Sequence, residues 1–584
     1  MKGKGLLSHV CVLDLADEEC GFCAKLLADL GADVIKIECP EGDPSRACLS
    51  FAYCNTNKMG VIFDLNTPEG KRSFHNLIQR SDILIETLAS ARRKALKLDY
   101  PQLKRLNQGL IHISITGFGR SGPKQDYRLC DSVAAAFGGQ MFITGTPSGP
   151  PVNLAGKQSF YVASLFGANA ALLALRKRRL TGKGGSIDIS LQESVASTLD
   201  PVMIDYFGSG RIAGRHGIRA QNDSFMLLPC KDGYLLATIH RNWEPLLELM
   251  AAEGKAKDLI EPKWQQESYR KTHPNHIVKV VSNWTQTYSK WDLFELGQAI
   301  QLPWAPVASP WEVLKSPQLQ ARRFYIRAAM REKNIRILVP GVPYKLSGFA
   351  PPPPKPAPRL GEHTQRIVNS LNSGDTRSRT KPDVQAHRTA RTGHILKGIR
   401  IIDWTRMLSG PYATRVLGDF GAEIIKVQSR LTAHGAERND TPYFRTWNRN
   451  KRSLTLNLDR PEAKSIFLEL TAISDVVIEN FSPRVLENWG LTYEHLKKVN
   501  PDLIMASISA MGQTGPWKHF VGYAPTFHAL SGLIAASSHA AKGPITIGHA
   551  YGDVIAGLYA ALAILTSLEH RDATGEGQYI DLSA

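Results

Sequence analysis

The 584-residue chain contains no unbroken apolar run of the roughly 18 residues that a membrane-crossing helix needs, so no membrane partner is expected. Its opening, MKGKGLLSHVCVLDLA, lacks the apolar core of a signal peptide and runs straight into a strand-like segment. No second Cys-x-x-Cys and no paired histidines complete a zinc site, so no metal is expected. Zinc-finger spacing and aromatic-studded RNA-binding motifs are missing as well. Cysteine is absent beyond residue 230. The single CGFC (Cys20–Cys23) has thioredoxin-like spacing, but the matching stretch of the second half reads GPYA (410–413). Buried free thiols in a reducing, cytoplasmic compartment are the expectation.

What is present begins with charge. The formal net charge is +18, which invites a nucleic-acid reading. Much of the excess is scattered, however, and part of it sits in TRSRTKPDVQAHRTARTGHILKGIR (376–400), which has the polarity and missing periodicity of a linker. A basic surface equally suits a phosphorylated small molecule, and no nucleic-acid partner is expected. Length alone predicts three or four domains.

The chain repeats itself. NTNKMGVIFDLNTPEG (55–70) matches NRNKRSLTLNLDRPEA (448–463), RSDILIETL (80–88) matches ISDVVIENF (473–481), and SITGFGRSGP (114–123) matches SISAMGQTGP (507–516). From Asn57 to Asp188, residue i matches residue i + 393 without a gap, which indicates a duplication. Each copy opens with a strand (HVCVLDLA, GIRIIDWT), an amphipathic helix and a second strand (ADVIKIE, AEIIKVQ). Short Val/Ile-rich runs then alternate with helical pattern, which predicts an α/β fold with a mainly parallel sheet in each copy. Ligands of such sheets gather at the carboxyl ends of the strands, where ENFSPR and MGQTGP fall.

The predicted division is a first large domain over 1–200 and a small α+β domain over 225–340. A proline-rich return segment follows over 341–370, then a basic linker over 371–396 and a second large domain over 397–584. As read, the second copy reaches Ala584 with no counterpart of the small domain. The linker is expected to be poorly ordered, being highly charged with little apolar content.

Five motifs of the second copy, in order, carry a family resemblance: LSGPYATRVLGDFGAEIIKV, NRNKRSLTLNL, SDVVIENFSPR, GQTGP and GDVIAGLYAALAIL; the first copy adds LPWAPVASPWEVLKSPQLQARRF and APRLGEHT. Together they resemble the family III CoA-transferases, the group of carnitine and formyl-CoA transferases. The resemblance implies two Rossmann-like large domains plus one small domain, forming an intramolecular pseudo-dimer. Whether two chains associate stays open. It also implies a coenzyme A thioester as substrate, a small carboxylic acid as acceptor, and no tightly bound cofactor.

In that family the aspartate of GD before the apolar helix is the nucleophile, and Asp553 matches it. Its carboxylate attacks the acyl-CoA carbonyl, giving a mixed anhydride and CoA thiolate. The thiolate returns to form an aspartyl-CoA thioester, which the acceptor acid then opens. The helix N-terminus should keep the carboxylate ionised. An aspartate before an apolar helix is otherwise an N-cap, contributing about 1 kcal/mol. The first copy places Phe160 at this position, so it keeps the scaffold and loses the reaction. The family's CoA contacts carry over to Leu408 and Ser409, to Leu456, Asn457 and Leu458, and to Asn480, Phe481 and Ser482. The leucines are equally explained as core. Asn488 stands where some members have arginine; Lys451 and Arg452 can supply charge instead, or form a solvated edge.

Two other readings stand beside this one. Acyl-CoA racemases of the superfamily use a His/Asp pair, but here Tyr523 takes the histidine position and His528 lies five residues on, read as a packing or surface residue. Alternatively the pair of unequal copies is a catalytically degenerate CoA-binding scaffold. The losses are complementary, however, so the first copy's small domain is expected to close over Asp553.

Overall fold

The computed structural model describes all residues except 1–4, 18–19, 128, 221–224, 240–242, 350–353, 373–393 and 539–542. Most of the predicted basic linker therefore lies outside the described residues. The first half builds six strands, β1 (Cys11–Leu15), β2 (Asp33–Glu38), β3 (Lys58–Ile62), β4 (Ile83–Glu86), β5 (Ile111–Thr116) and β6 (Gly185–Ser190). They form one parallel sheet in the order β3-β2-β1-β4-β5-β6. Their near-continuous Ile/Val/Leu runs suit strands covered on both faces by helices.

After the first sheet come β7 (Phe225–Cys230), β8 (Gly233–Thr238) and β9 (Ala305–Pro306), a small antiparallel sheet. It encloses its own core with Trp243, Trp284 and Trp304. A hairpin of β10 (Tyr325–Met330) and β11 (Ile335–Pro340) leads to a short strand, β12 (Tyr344–Leu346).

The second half supplies β13 (Arg400–Trp404), β14 (Glu423–Gln428), β15 (Lys451–Thr455), β16 (Val476–Glu479), β17 (Ile504–Ser509) and β18 (Tyr579–Ser583). These repeat the order of the first sheet, with one addition. The strand β12, from the first half, pairs antiparallel on the outer edge of β18. The chain then returns to the first half: Lys355 O accepts from Asn57 N at 3.0 Å, Lys355 N donates to Asn57 Oδ1 at 2.8 Å, and Thr364 Oγ1 accepts from Ile62 N at 3.0 Å. The first half thus wraps a strap around the second.

At the centre, the helices Gln158–Thr181 and Tyr551–Thr574 pack on one another. Both are long and apolar enough to cross a membrane by length and composition, but 72% and 78% of their apolar windows are buried inside the protein. Positions related by the 393-residue offset meet across this contact. Tyr551 Oη donates to Gln158 Oε1 at 2.9 Å, and Arg179 Nη1 lies 3.0 Å from Asp572 Oδ2. Such self-complementary pairing is the geometry of a twofold interface.

All eight cysteines are free thiols in the described structure. Cys23 is fully buried, and burial pushes its thiol well above the ordinary range. Iodoacetamide should therefore label the exposed Cys39, Cys48 and Cys130 in the native protein and leave Cys23 unmodified until unfolding. Peptide mapping after timed alkylation checks this.

Candidate active site

The helix that carries Asp553 begins at Tyr551, and its N-cap is Ala550. Asp553 is thus the third residue of the helix and not its cap, which removes the capping account of this side chain. In the structure Gly552 is helical, and a Cβ there would stand 3.3 Å from the Phe527 ring and 3.6 Å from His528 Nε2.

Along the helix, Asp553 shares a face with Gly557, one turn on. A Cβ on Gly557 would lie 2.7 Å from the Ser409 carbonyl oxygen. That face is therefore turned to the loop containing Leu408 and Ser409. The Asp553 carboxylate is partly buried and has no hydrogen-bond or ion-pair partner among the described residues. Desolvation pushes it up to about 7. Burial here outweighs the helix terminus that was expected to hold it ionised.

The backbone amide of Gly552 donates to His528 Nε2 at 3.0 Å. His528 is thus buried and engaged with the first turn of the helix. Burial, with His549 nearby, drives it down to about 3, so it stays neutral with its lone pair on Gly552. The next anchor comes from the first half: His549 Nε2 lies 3.3 Å from Thr198 Oγ1.

The remaining expected site residues fall on three loops at the carboxyl ends of β13, β15 and β16, the switch-point edge of the sheet. Asn480 clamps the first loop, accepting from Arg406 N at 2.8 Å and donating to Arg406 O at 2.8 Å. Met407, next in the loop, has a left-handed φ of 61° and donates its amide to Glu437 at 2.6 Å. Leu408 is buried and caps the helix Ser409–Asp419, whose first residue, Ser409, is also buried. Leu456 and Leu458 bury their side chains against Phe467, leaving only backbone for a ligand, with Asn457 between them. The Phe481 ring meets Trp404 edge-on at 5.2 Å, and Ser482 caps the helix Pro483–Trp489.

Lys451 departs from expectation. It is buried and fully engaged, bonding Asp403 at 2.8 Å, Pro411 O at 3.0 Å and Asn448 at 3.0 Å. Burial lowers it to about 8. It neutralises Asp403 and is closed to a phosphate, whereas Arg452 is exposed and pairs with Glu423 at 2.9 Å.

Sequence reasoning missed Glu479, the buried residue before Asn480. Burial raises its carboxyl to about 7, while its second oxygen accepts from Phe481 N at 2.8 Å. The ENF motif contained it, but nothing in the motif marks a carboxylate without a cationic neighbour.

The small domain seats on the second half, beside this helix. Gln298 bonds Val521 through both its amide oxygen (2.8 Å) and nitrogen (2.9 Å). Thr526 Oγ1 donates to Pro303 O at 3.1 Å, and Ala308 N to Ala529 O at 3.1 Å. Arg322 reaches Asp581 at 2.7 Å and Thr514 at 3.0 Å. A cavity of about 2110 Å³ runs along the helix from Tyr551 and Gly552 towards Tyr559, with Phe527, His528 and Val313 in its wall.

Two doubly wound parallel sheets meeting through their central helices define the architecture, and sequence comparison gives the family. The model of CoA-transferase family III matches residues 7–364 and again 396–584, so the chain belongs to that family. It is 30% identical to a probable CoA-transferase of Mycobacterium tuberculosis, over 96% of this chain and 72% of that protein. It is 32% identical to a subunit of the succinyl-CoA:(R)-benzylsuccinate CoA-transferase of Thauera aromatica, over 62% of this chain and 93% of the subunit. The crystal structure of a CaiB/BaiF family protein from Brucella suis superposes with a TM-score of 0.58 at 27% identity, covering 63% of this chain and all of that one.

Proposed function

We propose that the chain moves CoA from an acyl-CoA to a carboxylic acid with Asp553 as the covalent nucleophile, and that its two halves are tandem copies of which only the second reacts. The observation that carries this is the placement of Asp553: a carboxylate without partners, in the first turn of the central helix, on the face turned to Ser409. At the same position of the other central helix, Phe160 is buried in the core and cannot attack a thioester.

An Asp553 oxygen attacks the thioester carbonyl, the C–S bond breaks and CoA leaves as thiolate. The thiolate then attacks the Asp553 carbonyl of the anhydride and releases the donor acid. The acceptor carboxylate repeats the sequence in reverse. The backbone of Leu408, Ser409, Leu456–Leu458 and Asn480–Ser482 would hold the CoA portion. The small domain of the first half supports a lid reading, since it rests on residues 511–534 around the catalytic turn and would keep water from the anhydride.

Succinyl-CoA, the donor in the name of the Thauera relative, is the first thioester to test. After incubation with it, borohydride or hydroxylamine trapping and peptide mass spectrometry should place a modification on Asp553 alone. Turnover without any adduct on the 551–571 peptide would reject the nucleophile. Exchange of the α-hydrogen in deuterated water without acyl transfer would indicate a racemase; His528, with its lone pair held by Gly552, supplies no free base for that reaction.

A further inference from the structure

The two central helices begin alike but are held by different acceptors. Ser159 and Gly552, which stand 393 residues apart, are each the second residue of their helix. The Ser159 amide donates to the Asp131 carboxylate at 2.9 Å, and the Gly552 amide donates to His528 Nε2 at 3.0 Å. Both acceptors come from a short helix packed beside the central one, Asp131–Phe137 in the first half and Ala524–Leu530 in the second. Within those helices the acceptor changes place. Asp131 matches Ala524, and Ala135 matches His528, one turn further on. The second half thus has no carboxylate where the first uses one, and an imidazole makes the bond instead.

An amide in the first turn of a helix needs an acceptor, and a carboxylate is the stronger one. The next residue decides what that carboxylate would cost. In the first half it is Phe160, which carries no charge. In the second it is Asp553, and another carboxylate so close would favour its protonated form. His528 makes the bond without that charge. Its Nε2 accepts, so its proton sits on Nδ1, and burial drives its pKa down to about 3, which keeps the ring neutral. The other groups facing this turn are uncharged as well. His549, beside His528, is buried and held down to about 3, and Tyr551 Oη ends on the amide oxygen of Gln158 at 2.9 Å. Asp131 is near enough to raise the Tyr551 hydroxyl, but Asp553 is shifted by desolvation alone. The space fits the exchange too. Ser159 turns its hydroxyl to Asp131 O at 3.2 Å, whereas Gly552 has no side chain and lets the imidazole reach its amide.

We propose that His528 is a positioning residue for CoA transfer: a neutral acceptor that fixes the first turn of the helix and leaves Asp553 as the one carboxylate at that turn. The proposal rests on the reading of Asp553 as the nucleophile. His528 touches no reacting atom. It acts through the Gly552 amide, which sets where the next residue points, and through its own lack of charge, which sets the pH at which that residue ionises.

The test compares variants of the full chain by the single-turnover rate of Asp553 adduct formation from succinyl-CoA, followed across pH, with urea unfolding in parallel. His528→Gln keeps a neutral acceptor and should stay within about threefold of wild type, with the midpoint of its pH profile unmoved. His528→Ala orphans the Gly552 amide and should slow the step about tenfold or more. Ala524→Asp combined with His528→Ala rebuilds the arrangement of the first half. It restores the helix bond, so stability should return towards wild type, but the midpoint should rise by about one pH unit or more. Near neutral pH its adduct should then form about tenfold more slowly than in wild type, with recovery in alkali. A packing role predicts instead that the double variant regains rate as it regains stability, with the midpoint unmoved. That result overturns the proposal, as does a folded His528→Gln variant as slow as His528→Ala. Wild-type turnover without an adduct on Asp553 would reject the nucleophile reading, and this proposal with it. Trapping in wild type and in all variants at one rate and one midpoint would reject the proposal alone.

Discussion

Asp553→Asn is expected to reduce CoA transfer by about a thousandfold or more while leaving the fold intact, because it removes the proposed nucleophile and keeps the shape. Steady-state transfer from succinyl-CoA measures the loss, and circular dichroism checks the fold. Near-normal turnover by the asparagine variant would end the assignment. The same side chain sets the acid limb of the wild-type profile. Only the carboxylate attacks, and desolvation raises its pKa to about 7, so kcat/KM should climb with pH through that value.

A second consequence concerns stability, and its sign follows from the direction of that shift. The unfolded carboxyl titrates near 3.9, below the folded value, so between the two values the folded state holds more protons. The contribution of Asp553 to stability therefore falls as pH rises from about 4 to about 7 and is flat above. Asp553→Asn escapes this cost. It should be the more stable protein at pH 8, by on the order of 1–3 kcal/mol after allowance for partial exposure, and equal to wild type near pH 4. Urea titrations at the two pH values read this directly. A variant less stable than wild type at pH 8 would mean that the carboxylate has a stabilising partner in solution.

Much of the architecture is legible in the sequence, for reasons the structure makes plain. The Ile/Val runs of β1, β4, β13 and β16 are buried on both faces, so burial writes itself as composition. The shared strand order of the two sheets shows through because equivalent strands meet equivalent packing demands. Asp553 is legible only through resemblance, since its lack of partners is a property of space and not of neighbours in sequence. Lys451 is misread because its partner Asp403 lies 48 residues earlier, on another strand. The seat of the small domain was expected on functional grounds, but its contacts are invisible. Gln298 and Val521 are 223 residues apart, and the bonds run to backbone, which any sequence supplies.

The seat of the small domain is the place to separate stability from function. Arg322→Met leaves Asp581, buried on β18, without its guanidinium, and should cost about 3–5 kcal/mol in urea unfolding. It also cuts the bond to Thr514 and loosens the small domain from the loop 511–517. Water should then reach the mixed anhydride, and the ratio of hydrolysis to transfer should rise several-fold even under conditions where the variant is fully folded. Arg322→Met with Asp581→Asn distinguishes the two effects. Asparagine can still accept from Gln513 N but carries no charge to strand, so most of the lost stability should return. The bridge between the small domain and the second sheet stays broken, so the raised hydrolysis should persist. If hydrolysis instead falls back in step with stability, the small domain is packing for the second half and not its lid. Asp553 would then owe its protection from water to the Ser409 loop alone.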